Sequence, residues 1–572
     1  MDPLSIAGFT LTAIDTLWKV SEKTAELVSN FRDFDHDTKV LETRIRDDNA
    51  RTRALRQLLF DPSSVSAWNF YPQRMLTIIQ IYHGRSLFEH FDPEVQNHIH
   101  LFFEQAIGII EQAYQLLCRR QAVSSTGEAD SEGSISRSST PLASFLTPLS
   151  HDSDLSLSYT HEISKKSSRT FQRIRWSLLD KKRVEAIVRD FSEVNKRIYD
   201  NIELWCLSTS VGVDLQHLKH LESDTSSRTL GFDIDAKLQL ATSTEENSPW
   251  TYEIQQNEET RQALLSVVPV ESKFGIVQWD SKPMLVEYRS YAPESPVAVD
   301  IDTRTKDLVN RLAKLLHQPK GVVFRTPSCW GWARQIHFNR VAFMFSIPEG
   351  SEAQPRSLYH VLGSGSQPPA LGQRFTLALQ LARCISHLQL VKWVHKSFRS
   401  ENILFFPPKP EDSQELPSRS QECLNFSEPW VLGYEFSRPE SFFSQGQSDR
   451  SPTLDVYRHP ERQGRPTQFF SKIHDIYALG VVLLEIGLWQ QATSLEKSGF
   501  TKVRDPYAIK KQLVRNAEKR LASKMGEKYK QVVLKCLGNG FNVADDSKED
   551  LKLQQAFRSQ VINVLEDAAK YI

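Results

Sequence analysis

The sequence lacks both a surplus of charge and a paired cysteine motif. Lysine plus arginine and aspartate plus glutamate number 70 each, so no overall charge points to a nucleic acid or to an acidic partner. No two cysteines form a C-x-x-C pair, which indicates a reducing compartment and predicts no zinc site. The six cysteines are scattered along the chain at Cys118, Cys206, Cys329, Cys384, Cys423 and Cys536.

Long apolar runs are missing as well. No stretch of about 18 consecutive apolar residues occurs, so the sequence predicts no constitutive transmembrane helix. No basic segment precedes the first apolar stretch, and a secretory signal is therefore not expected. These absences predict a cytoplasmic protein. With 572 residues, 40% of them hydrophobic, the chain is long enough to form two or more domains.

Apolar residues at helical spacing recur through the first 220 residues. The pattern covers 4–30, a stretch that begins near Asp37, 86–120 and 169–206. No strand-like alternation occurs before about residue 250. The sequence therefore predicts an all-helical bundle over 1–220, with apolar side chains such as Phe9 in its core.

Two polar stretches interrupt these patterns. Residues 121–168 hold 15 serines in 48 positions and few large apolar side chains. Such a composition cannot bury enough apolar surface to offset the entropy of ordering, so the segment is predicted to be a disordered loop within the bundle. The second stretch, about 222–248, indicates a linker over 221–254 that leads to a C-terminal domain over 255–572.

The C-terminal half begins with strands and continues with helices. Strands are predicted at 274–277, 284–289, 322–324 and 341–345. A helix is expected at 305–317, between the second and third of these strands. After residue 370 the chain reads as mostly helical, starting with a long apolar-periodic helix over 371–390. This half therefore has an α+β pattern.

Three segments of this half occur in the order found in protein kinases. WVHKSFRSENIL at 393–404 resembles the catalytic loop H-R-D-x-x-x-x-N, with His395, Ser397 and Asn402 at matching positions. YRHPE at 457–461 resembles the motif that closes the activation segment. HDIYALGVVLLE at 474–485 resembles the large-lobe helix whose leading aspartate ties back to the catalytic loop. The resemblance implies a bilobal protein-kinase-like fold and makes ATP with Mg²⁺ a candidate ligand, although no cofactor follows with certainty.

The residues that carry out chemistry in kinases are substituted here. Kinases use the loop aspartate to accept the substrate proton and a second aspartate to hold magnesium. Ser397 and Gly433 stand at those two positions, and Glu435 would hold a metal only if the register shifts. The phosphate-covering loop is reduced to Gly275, and Arg289 is the nearest candidate for the strand-three cation. The sequence therefore predicts a pseudokinase.

Several loop residues keep two interpretations. Asn402 is a candidate metal ligand and Arg399 a candidate phosphate contact, but Asn402 could instead bind the loop backbone and Arg399 a nearby carboxylate. Structural roles are expected for Asp475, which would anchor backbone amides of the loop, and for Glu461, which would pair with an arginine. His395 is expected to pack beneath the loop rather than to act as a base.

The N-terminal half resembles a different family. MDPLSIAGF at 1–9 and FRDFDHD at 31–37 are similar to the opening of fungal HeLo and HeLo-like (prion-inhibition and propagation) domains. The resemblance implies a first helix that can insert into membranes and cause regulated cell death. That helix, from Leu4 to Val20, spans roughly 26 Å, slightly less than the hydrocarbon core. An ordinary helix packed in the bundle core is the open alternative.

Taken together, these patterns predict a fungal signalling protein whose inactive kinase-like domain regulates a HeLo-like helical effector in membrane-linked cell death or incompatibility. Two alternatives stay open: an active atypical ATP-dependent protein kinase, and a protein-interaction adaptor with no membrane role. Protein partners are expected and a nucleic acid is not. Oligomerisation, and membrane association through the first helix, stay open.

Overall fold

A computed structural model describes residues 3–30, 36–60, 86–125, 181–242 and most of 252–572. The gaps in the last range are 256, 272, 292–300, 410–423, 435–436, 440–451, 464–467, 497–499, 501–504, 539, 544–545 and 547–549. The chain divides into two compact units, Met1–Ile202 and Glu203–Ile572. Most of the Ser-rich segment lies outside the described residues.

The first unit is helical throughout its described residues. It contains α1 (Pro3–Asn30), α2 (His36–Phe60), α3 (Pro93–Ser125) and the greater part of α4 (Lys181–Ser208). The helical pattern predicted at 86–120 begins as a separate 3₁₀ turn, Leu87–His90, before α3. The break follows from Pro93, which has no amide hydrogen and therefore suits the start of a new helix.

Helix α4 packs on the helices that precede the Ser-rich segment. Ser192 Oγ donates a hydrogen bond to Asp48 Oδ2 at 2.6 Å, and Tyr199 OH donates one to the carbonyl oxygen of Asp48 at 2.8 Å. Val184 and Val188 of α4 join a buried apolar cluster with residues of α1, α2 and α3. The cluster consists of Ala25, Val28, Leu41, Ile45, Leu117, Val184 and Val188.

Helix α1 buries one face and exposes the other. Thr10, Ile14 and Leu17 are fully buried, and they repeat at the three- and four-residue spacing of a helix face. Phe9 is 57% exposed, so the prediction that it lies in the core is wrong. It is exposed because it lies about 100° around the helix from the buried Thr10. Among the described residues, no helix has both the length and the apolar character needed to cross a membrane.

The second unit starts with helices where the sequence indicated a linker. α5 (Leu215–Ser223), α6 (Thr225–Leu230) and α7 (Phe232–Thr242) follow one another closely. Asp214 and Asp224 cap the first two by accepting backbone N–H groups. The polar composition of this stretch thus reflects short, capped helices, and the division of the chain lies earlier, after residue 202.

A five-stranded antiparallel sheet follows α8 (Glu258–Leu265). Its strands are β1 (Val268–Glu271), β2 (Phe274–Trp279), β3 (Lys282–Ser290), β4 (Cys329–Gln335) and β5 (Arg340–Ser346), in the order β1-β2-β3-β5-β4. Helix α9 (Thr303–His317) connects β3 to β4. The strands predicted at 274–277, 284–289 and 341–345 are confirmed, as is the helix.

The strand predicted at 322–324 is wrong. Val322–Phe324 forms a 3₁₀ turn in which the Phe324 amide donates to the carbonyl oxygen of Gly321 at 3.1 Å. Arg325 ends the turn with a φ of 49°, a left-handed conformation that no regular strand contains. The apolar run therefore packs as a turn, and only Phe324 is fully buried.

The rest of the second unit is mainly helical. Its helices are α10 (Leu358–Gly363), α11 (Leu371–Leu390), α12 (Pro452–Asp455), α13 (Lys472–Leu488), α14 (Pro506–Gly538), α15 (Leu551–Phe557) and α16 (Asn563–Tyr571). A π-helical turn, Arg558–Ile562, joins the last two, and α14 is broken at Gly526. Helix α13 is buried from Asp475 to its end and forms the centre of this half.

Short strands connect these helices to the sheet-containing part of the unit. β6 (Arg356–Ser357), β8 (Ile403–Phe405) and β9 (Trp430–Val431) form one small antiparallel sheet. β7 (Trp393–Val394) and β10 (Arg438–Pro439) form another. The segment between β7 and β8, called here the 395–402 loop, carries most of the predicted site residues.

Candidate functional site

Asp475 fixes the start of the 395–402 loop. Its carboxylate lies in the first turn of α13, is 2% exposed, and accepts the backbone N–H groups of His395 at 2.8 Å and Lys396 at 2.9 Å. Lys396 has a φ of 66°, an unfavourable conformation for a residue with a side chain. The two hydrogen bonds hold this turn, which is the geometry expected of a residue that anchors the loop.

His395 packs beneath the loop as a neutral ring. Its ring centroid lies 4.7 Å from that of Tyr434 and 5.6 Å from that of Phe398, and the side chain is completely buried. Desolvation by burial, together with the nearby positive charge of Arg399, lowers the pKa of His395 to about 3. A buried imidazole with such a pKa is a poor general base at neutral pH.

The other polar side chains of the loop bind one another. Arg399 donates to Ser397 Oγ at 2.8 Å and to Glu401 at 3.0 Å. Asn402 Nδ2 donates to the carbonyl oxygen of Ser397 at 2.7 Å. All but Glu401 are at most 5% exposed. These contacts match the structural interpretation of Arg399 and Asn402, in which a carboxylate and the loop backbone are the partners.

Gly433 lies directly against Asn402. A Cβ atom at Gly433 would come within 2.0 Å of Asn402 Nδ2, and the glycine has a φ of 85°. The contact excludes a larger side chain here unless Asn402 moves. The left-handed backbone would strain any other residue even if Asn402 did move. The position that the sequence pattern aligns with the metal-binding aspartate of kinases is thus filled by the amide of Asn402.

A buried carboxylate that the sequence analysis missed completes this site. Glu287 on β3 is 1% exposed, and its Oε2 accepts the backbone N–H of Gly433 at 3.0 Å. Arg289, the predicted cation, lies two residues further along the same face of β3. In the antiparallel register of the sheet it is opposite Val341 of β5. The signal that could have identified Glu287 is a charged residue that directly follows the apolar run from Met284 to Val286 within the predicted strand.

Gly275, the candidate phosphate-loop residue, lies in β2. It pairs with Val286 within the sheet, and a Cβ atom there would come within 2.3 Å of Val267 Cγ1. Glu271 pairs with Phe274, so only two residues connect β1 to β2. Gly275 thus packs closely against Val267, and its contact with a nucleotide stays a prediction.

The remaining predicted residues lie apart from the loop or outside the described residues. Glu435 lies outside the described residues. Glu461 lies 3.4 Å from His459 Nδ1 and 3.5 Å from His474 Nε2, and these three residues could hold a metal ion by proximity. A second such group, Glu203, Asp235 and His387, is also found among the described residues. Neither group includes a residue of the 395–402 loop.

Part of the second unit matches a family model. Residues 337–572 match a family model described as a domain of unknown function, DUF7580. The match includes the 395–402 loop, Gly433 and Asp475, and excludes β1 to β4 and therefore Glu287. No curated protein matches the chain.

Proposed function

We propose that the second unit is a protein-kinase-like domain without catalytic activity, which regulates the helical first unit in an intracellular fungal signalling protein of the HeLo type. The order of the elements supports this proposal: an antiparallel sheet with one helix between its third and fourth strands precedes a largely helical region. The contact of Asp475 with the 395–402 loop supports it as well.

The observation that carries the proposal of inactivity is the contact between Glu287 and Gly433. In kinases a lysine in the third strand, within a V-A-I-K pattern, pairs with the phosphates of ATP. The pattern here is Met284-Leu-Val-Glu287, so a buried carboxylate occupies the position of that lysine. A carboxyl group at this point cannot replace the lysine as a cationic partner of phosphate, and its hydrogen bond to the Gly433 amide holds the strand against the segment that should bind magnesium.

The loss of both aspartates removes the remaining chemistry. Ser397 is neutral at pH 7 and accepts a hydrogen bond from Arg399, so it offers no carboxylate to position a nucleophile. Gly433 offers no side chain at all. Because phosphoryl transfer depends on electrostatic stabilisation by these groups, the site lacks the two carboxylates on which kinase catalysis relies.

A phosphoryl-transfer assay on the full-length chain tests this proposal. We expect no phosphorylation of the protein itself or of a generic substrate, with ATP and either Mg²⁺ or Mn²⁺. Glu287→Gln keeps an acceptor for the Gly433 amide and removes the carboxylate, so we expect nucleotide to raise its melting temperature more than that of the parent. Magnesium-dependent binding without turnover is compatible with the proposal. Robust phosphorylation that Asn402→Ala abolishes would overturn it.

The first unit has two candidate roles. The exposed Phe9 on α1 favours a HeLo-like effector that acts on membranes, because a large apolar side chain faces solvent near the start of the chain. The continuous buried face of α1 favours a protein-interaction adaptor, in which α1 is a permanent part of the bundle. We propose the effector role, and the variant that separates the two is described below.

A further inference from the structure

Helix α14 carries far more basic than acidic residues, although the chain as a whole has 70 of each. Its 33 residues include nine lysines and arginines but two glutamates, which gives a net charge of +7. A local excess of this size creates a positive potential that attracts anionic partners. The balanced composition of the whole chain conceals it.

Helix α14 packs on α13 through a row of buried side chains at four-residue spacing. The row consists of Ile509, Leu513, Ala517, Leu521 and Met525, each at most 4% exposed. Leu521 and Met525 lie against Gly487 of α13. Successive members of such a row are rotated by about 40° around the helix axis, so the buried row winds around α14.

A second row, two residues before the first, lies on the opposite face of α14. It consists of Tyr507, Lys511, Arg515, Lys519 and Ser523, all of which are exposed. Two residues correspond to about 200° of rotation, so these side chains point away from α13. Lys511, Arg515 and Lys519 are called here the cationic row, and its consecutive members lie about 6 Å apart along the helix axis.

The cationic row differs from the neighbouring cations of α14 in its contacts. Arg520 donates to Gln490 at 2.9 Å, and Lys524 donates to the carbonyl oxygen of Leu488 at 3.2 Å, so both bind residues at the end of α13 and just beyond it. Within the part of the chain that the structure describes, no side-chain hydrogen bond or ion pair involves a member of the cationic row. These three charges are therefore available to a partner.

Three carboxylates lie on or beside this part of α14. Asp505 accepts the backbone N–H of Tyr507 at 3.0 Å, and Glu496 accepts the side-chain amide of Gln512 at 3.0 Å, so both are engaged. Glu518 is exposed and lies within the face of the cationic row. This face is thus positive overall, but a partner also has to present a hydrogen-bond donor or a cation to Glu518.

We propose that the cationic row binds an extended acidic segment of a partner protein. Alternate residues of an extended chain lie about 6.6 Å apart, close to the spacing of about 6 Å in the row. Carboxylates at every second position can therefore meet successive cations, while backbone N–H groups of the same segment can donate to Glu518. Tyr507, 58% exposed, adds an aromatic contact at the start of the row.

A flat anionic membrane and a nucleic acid match this face less well. The row turns by about 80° between Lys511 and Lys519, so a plane cannot meet all three cations at equal depth, whereas a narrow flexible segment can follow the turn. Single-stranded nucleic acids bind where successive bases stack on several aromatic side chains, and the exposed row contains one, Tyr507. Repeated phosphates would also be repelled by Glu518.

Binding of a labelled peptide to the full-length protein tests this proposal. The probe is a fluorescent peptide in which glutamate alternates with serine over about twelve residues, long enough to cover the row. A neutral probe has glutamine in place of glutamate. We expect fluorescence anisotropy at low salt to show binding of the acidic probe alone. The combined variant Lys511→Gln, Arg515→Gln and Lys519→Gln should weaken it more than about fivefold, since a single exposed ion pair contributes up to about that factor.

The matched control removes three exposed cations elsewhere in the second unit, with Arg261→Gln, Lys282→Gln and Lys409→Gln combined. It changes the total charge equally and should bind the acidic probe within about twofold of the parent. Glu518→Gln provides a second readout, because loss of this carboxylate should strengthen binding of the acidic probe. All these positions are exposed, so the melting temperatures should stay near that of the parent.

Several results would overturn the proposal. One is equal affinity of the parent and the variant of the cationic row, and another is no binding by the parent. An equal loss in the matched control would show that the probe senses total charge rather than the row. Row-dependent binding of anionic phospholipid vesicles or of an oligothymidine strand, tighter than that of the peptide, would assign the row to a membrane or a nucleic acid instead. None of these results bears on phosphoryl transfer, so this proposal and the proposed function fail separately.

Discussion

At the scale of single residues, Gly433 permits a direct test of how tightly the candidate site is closed. We expect Gly433→Ala to reduce the free energy of unfolding by more than about 1 kcal/mol, because a Cβ atom meets Asn402 and the backbone is left-handed. Gly350→Ala is the matched control, since Gly350 has a φ of 73° with nothing within 4 Å of its Cβ position. Urea unfolding followed by tryptophan fluorescence measures both.

The difference between the two variants isolates the overlap with Asn402 from the strain of the backbone. An equal loss in both would show that Asn402 moves aside at little cost. The site would then be open to a side chain at position 433, and the proposal that the site is closed would lose its main support.

Glu485 provides a prediction about pH. It is fully buried in α13, and desolvation raises its pKa to about 7, although Tyr457 OH and the Ala492 amide donate to its Oε1 at 2.7 Å each. A carboxyl whose pKa is raised on folding binds more protons in the folded state, so it stabilises at low pH and loses this contribution as pH rises from about 4.5 to about 7.

Glu485→Gln should remove that dependence. Its Oε1 can accept both hydrogen bonds without a charge, so the variant should exceed the parent in stability above pH 7 by about 1–3 kcal/mol and match it near pH 5. The measurement is the urea midpoint between pH 5 and pH 8. The control is Glu518→Gln, at an exposed position of α14, which should follow the parent. A parent-like pH profile in Glu485→Gln would contradict the raised pKa.

Which residues of the site can be predicted from sequence depends on how far apart their partners lie in the chain. His395 and Asn402 belong to one short motif, and Asp475 begins another, so spacing alone indicated their positions. Glu287 contacts Gly433, 146 residues away, through the arrangement of β3 against β9 and its following turn. No local pattern specifies that contact, and the sequence pattern indicated Arg289 instead.

At the scale of elements, α1 offers a clean test of membrane activity because Phe9 is exposed. Phe9 is exposed, so Phe9→Glu in the full-length chain should change the free energy of unfolding by no more than about 0.5 kcal/mol, as surface substitutions usually do. If α1 acts on lipid, the same variant should abolish dye leakage from vesicles of anionic phospholipid, because a charge in place of this exposed apolar side chain resists insertion. Phe9→Leu, which stays apolar, should retain leakage.

A folded Phe9→Glu protein that permeabilises vesicles as the parent does would exclude α1 as the effector. The adaptor interpretation of the first unit would then be preferred. The exposure of Phe9 makes this outcome informative, since a side chain in the core would have unfolded the bundle on substitution.

Element types followed from sequence wherever a long periodic pattern was present. Helix α11 and strands β2, β3 and β5 lie where their patterns indicated. The two failures, at 322–324 and in the stretch 221–242, involve short segments in which local capping and turns decide the conformation. Asp224 illustrates the point, since a residue typical of a linker here caps α6.

At the scale of the whole molecule, the Ser-rich segment separates parts of one helical unit rather than two domains. Limited trypsin digestion should cut first within 121–168, as its composition predicts. The two pieces should nevertheless elute together on native size exclusion. Val184 and Val188 lie in the buried cluster with α1 to α3, and Asp48 binds Ser192 and Tyr199.

A substitution in α4 makes this prediction specific. Val188→Asp places a charge in the completely buried cluster, and after digestion its two pieces should separate, because an unpaired buried charge costs several kcal/mol. Arg189→Asp changes the neighbouring exposed position and should leave the pieces together. If the parent's pieces separate as readily as those of Val188→Asp, α4 does not hold the first unit together. Residues 3–125 would then form a domain of their own, and the boundary of the helical unit would have to be moved there.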